Sequence, residues 1–455
     1  MKLYNTLSRK KEELPEPEEQ RKLRLFVCGP TVYDYTHIGH ARTYLFFDFF
    51  AKYLRHRGYE VNYLQNITDI DDKIIARAAD RKIRPDELAQ QFTDFYFEDM
   101  KTISVDAVTI YAPATAFISQ IVAQVERLVD KGFAYKIEND GWYFDISKDE
   151  DYGKLSGRTA SQAEDGVSRI DDSDAKRNRG DFCLWKFSKP NEPKWNTRIG
   201  TGRPGWHIED TAISEYYFGP QYDIHGGADD LKFPHHEAEI AQQESASGLK
   251  PFVRFWVHTG FLLVDGKKMS KSLGNFVTIR DFLKKYPPEV LRWITLAHHY
   301  RSPVDFSDEL AEQAKAALEN LYNHYLALRD EDRKEENRKD HGTLTAWQEK
   351  FNAALNDDLN TPQALAVMFD LLKDKDLSIK EKRVLFDSFD QTLGLDIARK
   401  AEEIPPHIAE RLAQYNECRA NKQFVQSDAL RKEIEALGYE VRDTEKGSGL
   451  VKKFF

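Results

Sequence analysis

Residues 25–50, LFVCGPTVYDYTHIGHARTYLFFDFF, decide the reading of this chain. The first four are apolar and stop at Gly29-Pro30, which marks a short buried strand ending in a turn. From 39 to 57 an apolar run closes near Gly58 and reads as a helix. Further out, 59–65 reads as a second strand and 71–81 as a second helix, which completes a βαβ unit. Such a unit opens a doubly wound parallel α/β sheet of Rossmann type. Ligands of these sheets sit beyond the carboxyl ends of the strands. Cys28 and the tetrapeptide His37-Ile38-Gly39-His40 lie at or beyond the end of the first predicted strand, and 66–72 beyond the second.

The pattern breaks between 96 and 203, where a helix-like 115–131, a strand-like 142–146 and a polar loop at 165–180 read as an insertion. The α/β pattern resumes near Gly205, with a strand end at 222–225 and a helix at 234–247 that carries Pro234 in its first turn. After 305 the chain is helical in period, with helices expected at 309–328, 347–356 and 361–373. A charge run at 330–340 reads as a solvated loop or helix end. Ile404-Pro405-Pro406 reads as a linker, and 410–455 as a helix pair ending at Gly438 with a small strand-like end. The expected organisation is a catalytic nucleotide-binding domain in two halves, 1–95 and 204–265, split by an inserted connective domain at 96–203. A segment at 266–304 follows, then a helical domain at 305–400 and a tail domain at 401–455.

At 455 residues the chain is too long for one core. Its net charge of −10 excludes a protein coated in basic charge but leaves room for local basic patches. Three widely spaced cysteines make no disulfide framework. No apolar run is long enough to span a bilayer, and 9–21 is densely charged rather than a cleavable signal. The expectation is a soluble cytoplasmic protein, monomeric, with no membrane partner.

A second signature, Lys268-Met269-Ser270-Lys271-Ser272, is expected in a loop after the apolar run 260–264. In this order, HIGH and KMSKS resemble the ATP site of class I aminoacyl-tRNA synthetases. Joining a carboxylate to the α-phosphate of ATP requires a cradle for a polyanion. His37 and His40 stand three apart at a helix N-terminus, which favours anions. Gly39 lets a flat base approach the backbone, and Lys268 and Lys271 supply mobile positive charge between Gly266 and Gly274. The same residues would otherwise be a helix cap and a solvated loop.

A second constellation has metal-ligand character. His235 and Glu239, four apart, share a helix face. Cys28 ends the first strand, and Asp210 closes 205-GWHIED-210. Sulfur, nitrogen and two carboxylates suit Zn²⁺. Polar surface and a small buried hydrophobe are the competing roles for these residues.

The chain resembles the cysteinyl-tRNA synthetases over nearly its whole length. The resemblance is carried by 26-FVCGPTVYD-34, 37-HIGH-40, 66-NITDIDDK-73, 205-GWHIE-209, 223-DIHGG-227, 233-FPHHEAE-239, 268-KMSKSLGN-275 and 299-HYRS-302. It implies an ATP-dependent ligase that activates L-cysteine to cysteinyl-adenylate, releases pyrophosphate and charges tRNA(Cys) without a separate editing domain. In the family two Cys, a His and a Glu hold a zinc that binds the substrate thiolate. The matching positions are Cys28, Asp210, His235 and Glu239. Asp210 replaces the second Cys. It keeps the charge but is a harder donor, with Zn–O at about 2.0–2.2 Å against about 2.3 Å for Zn–S. Zinc is expected to be retained, one ion per chain; the alternative is that Asp210 does not reach it and the site is weakened or empty.

The resemblance also implies Trp206 as a wall beside the thiol, Thr68 and His225 holding the amino acid, and Asp230 at the α-amino group or ribose. Ala228 and Asp229 depart from the family's Gly-Ser. Mg²⁺ is expected to arrive with ATP, with Asp69, Asp71 and Asp72 capping a helix rather than holding it. In the tail, 419–422 and 427–431 match the family's anticodon-reading part. The family's stacking Trp is absent from 447–450, which leaves Lys446, Lys452, Lys453, Phe454 and Phe455 for RNA contact. Cys183 and Cys418 have no partner pattern. A cysteine ligase acting on a small amine and a non-catalytic paralogue are the alternatives. The long C-terminal region counts against the first, and intact His37, His40, Lys268 and Lys271 against the second.

Overall fold

A computed structural model of the chain describes residues 1–158, 173–269, 273–332, 344–402, 405–444 and 447–452. Lys271, Ile404, Lys446, Lys453, Phe454 and Phe455 lie outside these, as do 165–172 of the polar loop and 333–340 of the charge run. The described residues form two compact units. One comprises 1–288 with 299–306 and 356–359; the other comprises 289–298, 307–355 and 360–455.

The first unit is built on a five-stranded parallel sheet. Its strands are β1 (Lys22–Val27), β2 (Glu60–Ile67), β3 (Ile110–Pro113), β4 (Tyr222–Ala228) and β5 (Val253–Thr259), in the spatial order β5-β4-β1-β2-β3. The chain winds from β1 outward to β3, then crosses back to lay β4 on the other side of β1. The direction of winding therefore reverses between β1 and β4, where Leu25 pairs with Ile224 and Val27 with Gly226. That reversal opens a crevice at the strands' carboxyl ends. Helix α1 (Ile38–His56) links β1 to β2. It buries Phe46, Phe47, Phe49 and Phe50 on every side, because it is covered all round rather than on one face.

The sheet extends beyond the half expected at 1–95. Helix Pro85–Thr102 runs unbroken across that point, and β3 pairs with β2 from Leu64/Ile110 to Ile67/Pro113. A four-residue strand ending in Pro has too little alternation to announce itself.

Between β3 and β4 stands a second, antiparallel sheet. Its spatial order is Ala134–Ile137, Gly141–Phe144, Phe182–Phe187, Gly200–Pro204 and Trp195–Thr197. Phe144 stacks on Phe182 at 4.9 Å, and helix Ile118–Asp130 packs into the same core. Helix α2 (Ile208–Phe218) then leads into β4, and helix α3 (His235–Ser247) joins β4 to β5.

The KMSKS region differs from the expected loop. Leu262–Val264 and Lys267–Lys268 form a hairpin around Asp265-Gly266, both at positive φ (55° and 67°). A two-residue Asp-Gly turn of this hand matches the twist of its strands. Val304–Phe306 adds a third strand, so Lys268 stands on a strand arm.

The second unit is helical. Asp308–Asp332, Leu344–Asn356 and Thr361–Lys373 cover the expected segments, and Ile379–Leu393 is a further helix that the sequence reading did not include. Phe351 stacks on Phe389 at 4.0 Å and Tyr325 packs on Phe386 at 4.9 Å. Ser378 and Glu381 close a reciprocal capping box, and Gly394 ends the helix at φ 67°. Helices Pro406–Ala420 and Phe424–Ala436 and the hairpin Tyr439–Thr444/Gly447–Lys452 share a small core of their own: Ile408, Tyr415, Ile434, Tyr439, Val441 and Leu450. Among the described residues no helix is long and apolar enough to cross a membrane.

Candidate active site and metal centre

Cys28 follows β1 directly, and its N–H donates to the Gly226 carbonyl of β4 at 3.1 Å, so it sits at the winding reversal. The first turns of α2 and α3 meet it there. The Cys28 thiol donates to Asp210 Oδ2 at 3.4 Å and to Glu239 Oε1 at 3.8 Å. His235 Nε2 lies 3.1 Å from Asp210 Oδ2 and 3.0 Å from Glu239 Oε1. All four side chains are buried, and their ligand atoms lie within 4.8 Å of one another.

Histidines crowd the same point. His225 Nε2 is 3.3 Å and His236 Nε2 3.1 Å from Cys28 Sγ. His236 and Asn66 were not among the expected site residues. Helix α3 is buried along its whole first two turns, so His236, one position from His235, faces protein as well. Asn66 Nδ2 donates to Asp210 Oδ1 at 2.6 Å and its Oδ1 accepts from Gly29 N–H at 2.6 Å. An added Cβ on Gly29 would fall 1.7 Å from the Asn66 carbonyl, so only glycine allows this approach.

The electrostatics of the cluster call for a cation. Burial, reinforced by Glu239 and Asp210, pushes the Cys28 thiol well up. Burial pushes Glu239 up to about 7 and Glu209, beside Asp210, well above the usual carboxylate range. Burial alone would lower His235, yet Glu239 and Asp210 raise it to about 10. Glu239 Oε2 is fully buried and has no hydrogen-bond partner. A buried thiol and carboxylates facing one another are costly without a proton or a metal ion to share. Thiolate, imidazole and carboxylate are zinc's usual donors, so the residues present fit a divalent ion of that kind.

The other expected site residues fall around this cluster. Trp206 stacks on the His235 imidazole at 4.3 Å and remains partly exposed. Thr68 donates to Glu209 Oε1 at 2.7 Å and is itself buried. His225 is buried too, with its Nδ1 against the Tyr222 hydroxyl at 2.6 Å.

The two signatures form a neighbouring group. His37 is the N-cap of α1, with its Nδ1 accepting from Gly39 N–H (3.1 Å) and His40 N–H (3.3 Å). The helix-start donors at 39 and 40 are therefore engaged by His37, and positive charge for a polyphosphate must come from side chains. The His37 and His40 rings stack at 3.8 Å. The protein packed around the His40 ring, with Lys268 and Lys73 and against the pull of Asp230, lowers its pKa. An added Cβ on Gly39 would lie 2.8 Å from the Met269 methyl and 2.9 Å from the His37 ring. Lys268 pairs with Asp230 and lies 5.2 Å from the centre of the Phe261 ring. Asp71 caps helix Asp72–Arg81, whereas Asp69 accepts from Thr115 N–H (2.9 Å) and Asp72 pairs with Arg203.

Residues 14–316 match the family described as tRNA synthetases class I (C) catalytic domain, and 350–394 match a DALR domain. The fold is similar to that of a Mycobacterium tuberculosis methionyl-tRNA synthetase solved with methionyl-adenylate, with a TM-score of 0.59 at 14% identity, over 83% of this chain and 90% of that one. An Agrobacterium radiobacter LeuRS in a ternary complex aligns with a TM-score of 0.62 at 11% identity, over 82% and 83%. Fold and catalytic domain are those of a class I tRNA synthetase. The chain is 44% identical to the cysteine–tRNA ligase of Thermococcus onnurineus (strain NA1), over 98% of both chains. It is 43% identical to that of Methanococcus maripaludis (strain C7 / ATCC BAA-1331), over 100% of this chain and 99% of the other. It belongs to the cysteine–tRNA ligase family.

Proposed function

We propose that the chain activates L-cysteine with ATP, releasing pyrophosphate, and transfers the cysteinyl group to tRNA(Cys), with the thiol selected at the Cys28–Asp210–His235–Glu239 centre. The observation that carries this reading is the convergence of those four buried donors at the winding reversal, in a chain that also carries HIGH and KMSKS. A zinc ion bound there supplies a soft Lewis acid that prefers sulfur to a neutral hydroxyl. Apolar packing alone separates near-isosteres such as cysteine and serine poorly.

The chain's own groups do the rest. Trp206 walls the pocket over His235. Thr68, held by Glu209, and His225, held by Tyr222, fix the amino acid's orientation. Asp230 exchanges its Lys268 partner for the α-amino group or ribose, which frees Lys268 for the phosphates of Mg·ATP. His40 donates a hydrogen bond to the α-phosphate as negative charge spreads over its oxygens, and Lys268 and Lys271 follow the departing pyrophosphate. Gly39 keeps the nucleotide close to the start of α1. The helices from 305 to 400 hold tRNA, and the module from 401 to 455 reads the anticodon.

Pyrophosphate exchange with cysteine, followed by charging of tRNA, tests the whole reading. Both activities are expected. Exchange without charging would indicate a small-amine acceptor, and neither activity would indicate a binding protein.

A further inference from the structure

We propose that Cys28, His225, His236 and Glu239 form a second, inner donor set for the zinc ion, sharing its Cys28–Glu239 edge with the outer set of Asp210 and His235. This rests on the reading that zinc binds here, and adds a second position for it. A tetrahedral ion with bonds of about 2.0–2.3 Å places its ligand atoms about 3.3–3.7 Å apart. In the inner set Cys28 Sγ lies 3.3 Å from His225 Nε2 and 3.1 Å from His236 Nε2, and His225 Nε2 lies 3.5 Å from Glu239 Oε2. The outer set has separations of 3.4, 3.1 and 3.0 Å. Neither set is the better tetrahedron.

Glu239 faces both. Its Oε1 points to His235 and Cys28, while its buried Oε2, which has no hydrogen-bond partner, lies on the His225 side. Both inner histidines are held by the opposite ring nitrogen, as ligating histidines are. His225 Nδ1 meets the Tyr222 hydroxyl at 2.6 Å. His236 Nδ1 meets His258 Nε2 at 2.8 Å, and His258 Nδ1 meets Thr6 Oγ1 at 2.8 Å. Both Nε2 atoms are thereby aimed at the thiol.

Asp210 and His235 keep partners of their own when the ion is inside: they pair with each other at 3.1 Å, Asp210 accepts from Asn66 and His235 meets His207. With one more nitrogen and one fewer carboxylate, the inner set is the softer of the two and suits zinc well.

The test measures metal content, with X-ray absorption at the zinc edge, on the full-length chain and its variants. Wild type is expected to carry about one zinc per chain. The double variant Asp210→Ala/His235→Ala is expected to keep it, with two imidazole nitrogens and one sulfur around the ion. Adding His236→Ala is expected to drop the content at least tenfold. Circular dichroism and thermal unfolding verify the fold of each. Asp210→Asn/His235→Gln, which preserve volume and hydrogen bonding, replace the alanine pair if it fails to fold. Zinc in wild type but not in a folded double variant overturns the inner set and leaves the outer reading standing. A wild-type chain without zinc overturns both.

Discussion

Asp210 presents two oxygens with different duties. Oδ1 is occupied by Asn66 at 2.6 Å, while Oδ2 is turned to Cys28 and His235. A carboxylate is harder than a thiolate, so an ion held by Asp210 discriminates sulfur from oxygen less sharply. Asp210→Cys is expected to raise the cysteine-over-serine ratio in pyrophosphate exchange by about 3–10-fold, where tenfold corresponds to 1.4 kcal/mol. An unchanged ratio would remove Asp210 from selectivity. Cys28→Ala takes away a ligand shared by both donor sets. Zinc content and cysteine activation are expected to vanish together, and a folded variant that still activates cysteine would refute the centre. His40→Ala is expected to slow adenylate formation by about 10²–10³-fold, the usual effect of losing one preorganised donor, with little change in cysteine affinity. A loss confined to affinity would deny His40 its phosphate role. At this scale the structure brings together Cys28, His235 and Glu239, which the motif contexts of the resemblance single out in the sequence. His236 and Asn66 were not singled out, since their part depends on which surfaces α3 and the β2 end bury, and spacing carries no trace of that.

Among elements, length alone does not decide what the sequence discloses: helices Pro85–Thr102 and Ile379–Leu393 escape it as the short strands do. Helix α1 and the helices at 308–332, 344–356 and 361–373 declare themselves through runs of apolar residues. Strand 110–113 and the hairpin arm at 267–268 are too brief for a period to emerge and owe their existence to partners. A more testable case is the end of helix Ile379–Leu393. Asp390 is buried there and accepts from Ile397 N–H at 3.2 Å and Ala398 N–H at 2.9 Å, tying down the start of helix Ile397–Glu402. Burial outweighs those donors and raises its pKa to about 7. Its unfolded value is near 3.9. The folded chain therefore binds the extra proton, and the associated stability is full below about pH 4 and lost as pH rises through about 7. Asp390→Asn cannot ionise and offers a single acceptor. Thermal unfolding is expected to show the variant clearly less stable than wild type at pH 5 and the gap closing or reversing by pH 8. A gap independent of pH would place the Asp390 titration outside that window.

At the level of the whole chain, the proposed division into activation and RNA reading has two compact units to rest on, and the C-terminal module has a core of its own. Module 405–455 has its own small core, and Arg329 donates to the Ala401 carbonyl at 2.5 Å, fixing the residues just before it. Deleting 405–455 while retaining 401 is expected to leave cysteine-dependent exchange within about twofold of wild type, in keeping with additivity between distant sites. Charging of tRNA(Cys) is expected to fall at least tenfold. Equal loss of both would assign the module to the catalytic unit. The parallel sheet, the insertion and the helical end were all legible from changes in period along the sequence. The exact edge of the insertion was not, because a chain leaves and re-enters a sheet without any compositional mark.

The antiparallel insertion between β3 and β4 also sets a clock on synthesis. Cys28 emerges from the ribosome 211 residues ahead of Glu239. At about 5–20 residues per second the interval lasts roughly 10–40 s. For most of it the nascent thiol has neither its carboxylate nor its histidine neighbours, since Asp210 follows 182 residues and His225 197 residues behind, and it is open to sulfenic acid formation or a stray disulfide. The four donors of the centre thus come together only late in the making of each chain, and until then the Cys28 thiol lacks the burial it has in the finished fold.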